Sequence, residues 1–131
     1  MVCDFSAGNL STDGGLLPIA ELDRRIGFSA GFAQCLQDPR EPGKVLHPLE
    51  DLLRQRIYQI VCGYEDANDA NTLRSDPVLK TAVGRAPESE TDLASQSTLS
   101  RLENRLTRKE LTDLSYFLVE HFIRRHRRDR E

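Results

Sequence analysis

Residues 47–64, "HPLEDLLRQRIYQIVCGY", decide the fold class. Pro48 stands where a helix can begin, because proline at the first helical position loses no needed N–H and fixes φ in advance. Glu50 and Asp51 follow in the first turn, where the helix dipole favours negative charge. Leu49, Leu52, Leu53, Ile57, Ile60 and Val61 recur at helical spacing. At roughly 100° per residue they cover nearly half the circumference, which predicts a central helix packed on several sides. Gly63 supplies the stop. If Tyr58 and Tyr64 belong to the scaffold, they pack between helices with their hydroxyls satisfied at the surface.

Working outward from this helix gives more helices and no strand. Residues 1–12 read as an irregular lead-in, and "NLSTDGG" is turn chemistry. A helix is predicted through "LLPIAELDRRIG", with Thr12 or Asp13 as cap, Pro18 in the first turn and Gly27 as the stop. Its apolar face is Leu16, Ile19, Leu22 and Ile26. A short helix from about Ser29 to Leu36 buries Phe32 and Leu36. "QDPREPGK" then breaks the chain, since two prolines and a glycine are incompatible with helix. Downstream, "YEDANDANTLRSD" is predicted as a helix and "PVLKTAVG" as a short one, opened by Asp76-Pro77 and closed at Gly84. Residues 85–93 form a polar internal linker. In the last segment Thr107 and Glu110 make the T-x-x-E of a capping box. The helix they open should run about twenty residues, with Leu111, Leu114, Leu118 and Phe122 as its buried stripe. The period-2 alternation of a strand is absent, and so is any long repeat. The expected fold is all-α, a compact bundle of six to seven helices in one domain spanning residues 1–131.

The chain has 131 residues, 38% of them apolar and 30% charged. That profile suits much exposed surface, or a piece whose partner surface is elsewhere. No apolar run approaches the ~20 residues of a membrane span. The N-terminus has neither the basic start nor the apolar run of a signal peptide, so a cytoplasmic location is the expectation. Three widely spaced cysteines, Cys3, Cys35 and Cys62, offer no disulfide framework or zinc ribbon, and Cys35 and Cys62 read as small core residues. His47, His121 and His126 lack metal-ligand spacing. The net charge of −3 conceals an asymmetry: residues 1–100 carry nine basic and fifteen acidic side chains, residues 101–131 nine and six. The C-terminal third is thus a basic footprint suited to a polyanion, or else a helix end whose arginines satisfy the dipole.

Enzyme motifs are missing. There is no phosphate-binding glycine loop of the P-loop or dinucleotide type and no nucleophile elbow. Glu65, Asp66 and Asp69 could suggest a metal, but carboxylates near a helix start serve better as caps. No cofactor or metal is expected.

The segment "LASQSTLSRLENRL", residues 93–106, carries a more specific pattern. Ser95 is a good cap. Leu99, Leu102 and Leu106 form a narrow buried stripe. Gln96, Ser97 and Thr98 lie in the first turn, and Ser97, Ser100, Arg101, Asn104 and Arg105 on the opposite side. These side chains have the donors and acceptors that base edges require, and small residues at the front let a helix enter a major groove. An ordinary capped surface helix gives the same pattern. The preceding linker is too long for a regular helix-turn-helix, so only a variant with a long connection would fit.

Three stretches, in this order, carry a resemblance: "LSTDGGLLPIAELDRRIGF", "LEDLLRQRIYQIVCGYEDANDANTLRSDPVLKTAVGR" and "LASQSTLSRLENR". Together they resemble the N-terminal region of DDE-type transposases of bacterial insertion sequences, the group named transposase DDE domain group 1, over nearly the whole chain. Pro18 departs from the family's apolar helix former there and implies a slightly later helix start. The resemblance implies a helical region followed by an RNase H-like domain with three carboxylates holding two divalent metals. The first catalytic aspartate is implied shortly after the helix ending "HFIRRHRRDRE". No residue of this sequence matches a catalytic carboxylate, so a natural truncation or a cut at the domain boundary is expected, without catalysis of its own.

The implied role is binding of double-stranded DNA at transposon ends, with help in assembling the synaptic complex. The residues themselves nominate Gln96, Ser97, Thr98, Ser100, Arg101, Asn104 and Arg105 as DNA contacts. Arg124, Arg125, Arg127 and Arg128 are nominated for phosphates. The alternatives are a helical module for homodimerisation or for docking on the catalytic domain of the same transposase, and an inert remnant.

Overall fold

The computed structural model describes Ser11 and residues 13–128, with Arg128 described in its backbone alone. The predicted lead-in, the Thr12 cap and Cys3 lie outside these residues. Among them are seven α-helices and no strand: α1 (Leu16–Ile26), α2 (Phe28–Gln34), α3 (Leu49–Val61), α4 (Ala70–Leu73), α5 (Pro77–Val83), α6 (Gln96–Asn104) and α7 (Arg108–Arg128). Single 3-10 turns lie at Pro42–Lys44 and Ala67–Asp69. The all-α expectation holds.

The helix α3 is central, as its sequence predicts. It places Leu52 and Leu53 in one core with Leu36, Ala94, Leu99, Leu102 and Leu114. It places Tyr58 in a second with Leu16, Ala20, Leu79, Ala82, Val83 and Leu93. Partly buried Ile57 packs against both. The remainder of its buried face differs from the expectation. Gln55, Tyr58 and Gln59 are buried, whereas Ile60 and Val61 are about half exposed. The polar side chains go inside because α1 and residue 94 offer hydrogen-bond partners to Tyr58 and Gln55. Neither amide atom of Gln59 has such a partner.

The helix α1 shows why. Its buried positions are Leu16, Ala20 and Asp23, while Ile19 and Leu22 are exposed. Asp23 is drawn inward because it accepts from the Tyr58 hydroxyl at 2.6 Å and from the Ser29 amide at 2.8 Å. The helix begins after Gly15 with no side-chain cap, and the Leu16 amide donates to the Asp13 carbonyl. Gly27, at φ 67°, closes α1 and opens α2 in one residue, a left-handed corner that glycine adopts without steric cost.

The predicted fourth helix is reduced to the turn at Ala67–Asp69 and the single turn of α4. Asp66 accepts from the Asn68 amide, so it serves as a cap. At α5 the predicted signals operate: Asp76 accepts from the Leu79 amide and Gly84 closes the helix at φ 102°. The capping box of α7 also forms. The Thr107 amide donates to Glu110 at 2.8 Å, and the Glu110 amide donates to the Thr107 hydroxyl at 3.2 Å.

The packed edge of α7 is Leu114, Phe117 and His121, so of the predicted stripe only Leu114 is buried. Phe117 and His121 meet the Phe28 ring at 5.8 and 5.4 Å. Gly31 admits this approach, since a Cβ there would stand 2.5 Å from Phe117 Cε2. Leu111, Leu118 and Phe122 are left 50%, 45% and 62% exposed. Cys35 and Cys62, expected in the core, are partly buried and pack against the edges of the two cores, and burial pushes their thiols above their ordinary value.

Candidate nucleic-acid interface

Three anchors, at residues 93, 94 and 96, fix the start of α6. The Leu93 amide donates to the Arg74 carbonyl at 2.9 Å. The buried Gln55 amide then engages both backbone groups of Ala94: its Nε2 donates to the carbonyl and its Oε1 accepts from the N–H, each at 2.9 Å. The Gln96 amide donates to Asn71 Oδ1 at 3.0 Å. Further along, Arg56 of α3 pairs with Glu103 at 2.5 Å. Leu99 and Leu102 face the core as predicted. Helix α6 is therefore held rigidly although residues 84–95 before it are not helical.

The predicted contact residues separate into distinct groups. Ser97, Arg101 and Asn104 are exposed along α6, and Arg101 makes no ion pair with a described residue. Gln96 Nε2 donates to the Ser100 hydroxyl at 3.0 Å, so both belong to a bond within the helix. The Ser95 hydroxyl meets those of Ser97 and Thr98 at 3.0 and 3.2 Å, so Ser95 holds the cap position without bonding a backbone amide. Arg105 is turned to the body: its Nη1 lies 3.3 Å from Asp38 Oδ1, and its Nη2 is buried without a partner. Asp38 is shared with Arg40, whose Nη2 is 2.6 Å from the other carboxylate oxygen. These hydrogen bonds hold the Asp38 carboxyl far below its ordinary value despite burial.

The arginines of α7 lie elsewhere. Arg124 and Arg125 share a hollow of about 180 Å³ with Arg25, Ile26 and His121, and no residue lining it lines the hollows beside α6. Arg124 pairs with Glu120, and Arg127 is exposed. The side chain of Arg128 lies outside the described residues.

Beside α6 the structure gathers cations that sequence reading missed. Two hollows, of about 480 and 460 Å³, share Arg40, Thr98 and Arg101 in their walls. The second also has Lys44, His47, Arg74 and Asp92. Arg40 Nη1 donates to the His47 carbonyl at 3.0 Å, and Arg85 Nη2 lies 3.0 Å from His47 Nδ1. A guanidinium only donates, so Nδ1 accepts and neutral His47 carries its proton on Nε2. These cations lie in the half of the sequence with the acidic balance, which hid them; spatial clustering was the missing signal.

Among the described residues no group of three or more His, Cys, Asp or Glu is placed to hold a metal ion. No described helix is long and apolar enough to cross a membrane.

No curated protein and no solved structure matches the chain. A family model does, that of transposase DDE domain group 1, and it spans residues 1–131. The helical framework, with α3 at its centre and α6 fixed by α3 and Asn71, is thus the form this sequence takes in a chain that belongs to the transposase DDE domain group 1 family.

Proposed function

We propose that the domain serves DNA transposition by binding duplex DNA at the transposon end through α6, without catalysing strand transfer itself. The observation that carries this reading is the exposed row Ser97, Arg101 and Asn104 beside two cation-lined hollows. Arginine and asparagine make the bidentate contacts that distinguish guanine and adenine in the major groove. A helix fixed before the DNA arrives loses little further freedom on binding. Arg105, already committed to Asp38, acts in this reading as an anchor for the segment before Arg40. Fluorescence anisotropy with duplex DNA at low salt tests the proposal. Arg101→Ala is expected to weaken binding roughly 5- to 100-fold, the range for one base-contacting arginine. No binding by the wild-type chain, or unchanged binding by the variant, would sink it.

A second reading rests on α7. Tyr116, Leu118, Val119 and Phe122 are exposed on a helix of which one edge alone is packed. An apolar face of this kind suits docking on another protein surface, either a second copy or the catalytic domain. Light scattering over a concentration series checks the first: a rising mass restored to monomer by Leu118→Glu with Phe122→Glu supports a homodimer. A constant monomer mass rules it out.

A further inference from the structure

We propose that the hollow between residues 44–47, Arg74 and α6 holds a phosphate of the DNA backbone, gripped by Arg40, Lys44 and Arg74. This assignment rests on the DNA-binding reading of α6 and adds a contact surface outside that helix.

Charge is the first argument. Across the two adjoining hollows the walls carry five cations, Arg40, Lys44, Arg74, Arg101 and Arg105, against one carboxylate, Asp92, while Asp38 outside the walls offsets one charge of the Arg40 and Arg105 pair. Asp92 is already matched, by Arg74 at 3.0 Å and by the buried Lys80 at 3.3 Å. Lys44 pairs with Glu41 at the surface, where both side chains are largely exposed. Such a pair is weak and yields readily to a phosphate.

Preorganisation is the second. The Arg40 guanidinium is held by Asp38 on one side and the His47 carbonyl on the other. Guanidiniums in a fixed fork match phosphate oxygens in pairs, which a single lysine cannot do. Ser95 and Thr98, at the start of the nine-residue α6, also line this hollow. They bring hydroxyls and the positive end of the helix to the same place.

His47 gives an independent view of the field there. Burial, together with the charges of Arg85, Arg40 and Arg74 and opposed by Asp51, holds its imidazole below the ordinary value. A phosphate entering the hollow would offset those charges and raise it.

The test uses the full chain and two measurements. Salt-dependent anisotropy with duplex DNA compares the wild type with Lys44→Ala plus Arg74→Gln, with thermal melts confirming folding. The double variant is expected to bind about 10-fold or more weakly at low salt, with a slope of log K against log salt reduced by about 1. NMR titration of the His47 ring in the wild type follows its protonation alone, with inorganic phosphate and with duplex DNA. It should shift upward with DNA at concentrations where inorganic phosphate has no effect. If the wild type binds DNA but the variant keeps its affinity and slope and His47 does not respond, the assignment fails while the α6 reading stands. An equal response to inorganic phosphate would replace the DNA subsite with a site for a free anion. Absence of DNA binding by the wild type overturns the α6 reading itself.

Discussion

Gln55→Leu is expected to cost roughly 2–5 kcal/mol of folding stability. Leucine keeps the volume, so the cavity cost is small. What it removes is the partner of both backbone groups of Ala94, a residue with no exposed surface. Each buried N–H or C=O left without a partner costs about 1–3 kcal/mol. The alternative is that residues 93–95 move outward to water, which releases α6 from its anchor. Urea denaturation measures the first outcome, and the DNA affinity of the variant relative to its folded fraction the second. A loss below about 1 kcal/mol with unchanged DNA affinity would mean that the clamp is dispensable and that Leu99 and Leu102 alone seat α6; that threshold is the ordinary net worth of one hydrogen bond.

The second large effect is expected at Asp23. Asp23→Ala should cost roughly 3–5 kcal/mol, because it strands the Tyr58 hydroxyl and the Ser29 amide in a buried site. Asp23→Asn should cost less, since its carbonyl can still accept from Ser29. The wild type should also show a signature in acid. Burial pushes the Asp23 carboxyl up, but the hydrogen bonds from Tyr58 and Ser29 outweigh it and leave the group below its ordinary value. A depressed folded value gives stability that is present above the unfolded value of about 3.9 and lost as pH falls through the folded one. Asp38 and Glu110, the latter lowered to about 2, behave alike. Melting temperature should therefore drop steeply below about pH 4, and less steeply in Asp23→Ala. A parallel pH profile for the two proteins would show that Asp23 is not a source of the acid sensitivity.

Those two residues also mark where the sequence was legible and where it was not. Some signals that act within a few residues were read correctly, although the Asp13 and Ser95 side chains cap no helix amide and the helix expected over residues 64–76 is reduced to single turns. The Thr107–Glu110 capping box, Asp76 before Pro77, the glycine at Gly84 and the Leu99–Leu102 pair each depend on local spacing alone. The faces of α1, α3 and α7 were read only in part, with Leu16, Leu52, Leu53 and Leu114 buried as expected, because burial of the rest follows long-range partners. Apolar periodicity treats Asp23, Gln55 and Tyr58 as surface residues, or as surface-tipped ones. The fold buries them because each completes a hydrogen bond with a residue at least six positions away. On α7 the aromatic cluster with Phe28 and Phe32 took Phe117 and His121 inward beside Leu114 and left Leu111 and Leu118 outside.

The candidate interface divides in the same way. The exposed row on α6 was legible because one helix sets its geometry. The withdrawal of Arg105 and the recruitment of Arg40, Lys44 and Arg74 were not, because they depend on how the segment after α2 returns past α6. An acidic average over residues 1–100 says nothing about where its few cations meet.

The corner at Gly27 leaves the chain no slack. One residue ends α1 and begins α2, and Asp23 reaches across it to the Ser29 amide. An insertion at that point would rotate α2 by roughly 100° and advance it about 1.5 Å. Phe28 and Phe32 would then turn away from Phe117, and α7 would lose its aromatic seat. The register of α7 against the body is thus set ninety residues upstream, at a junction whose length the aromatic seat depends on.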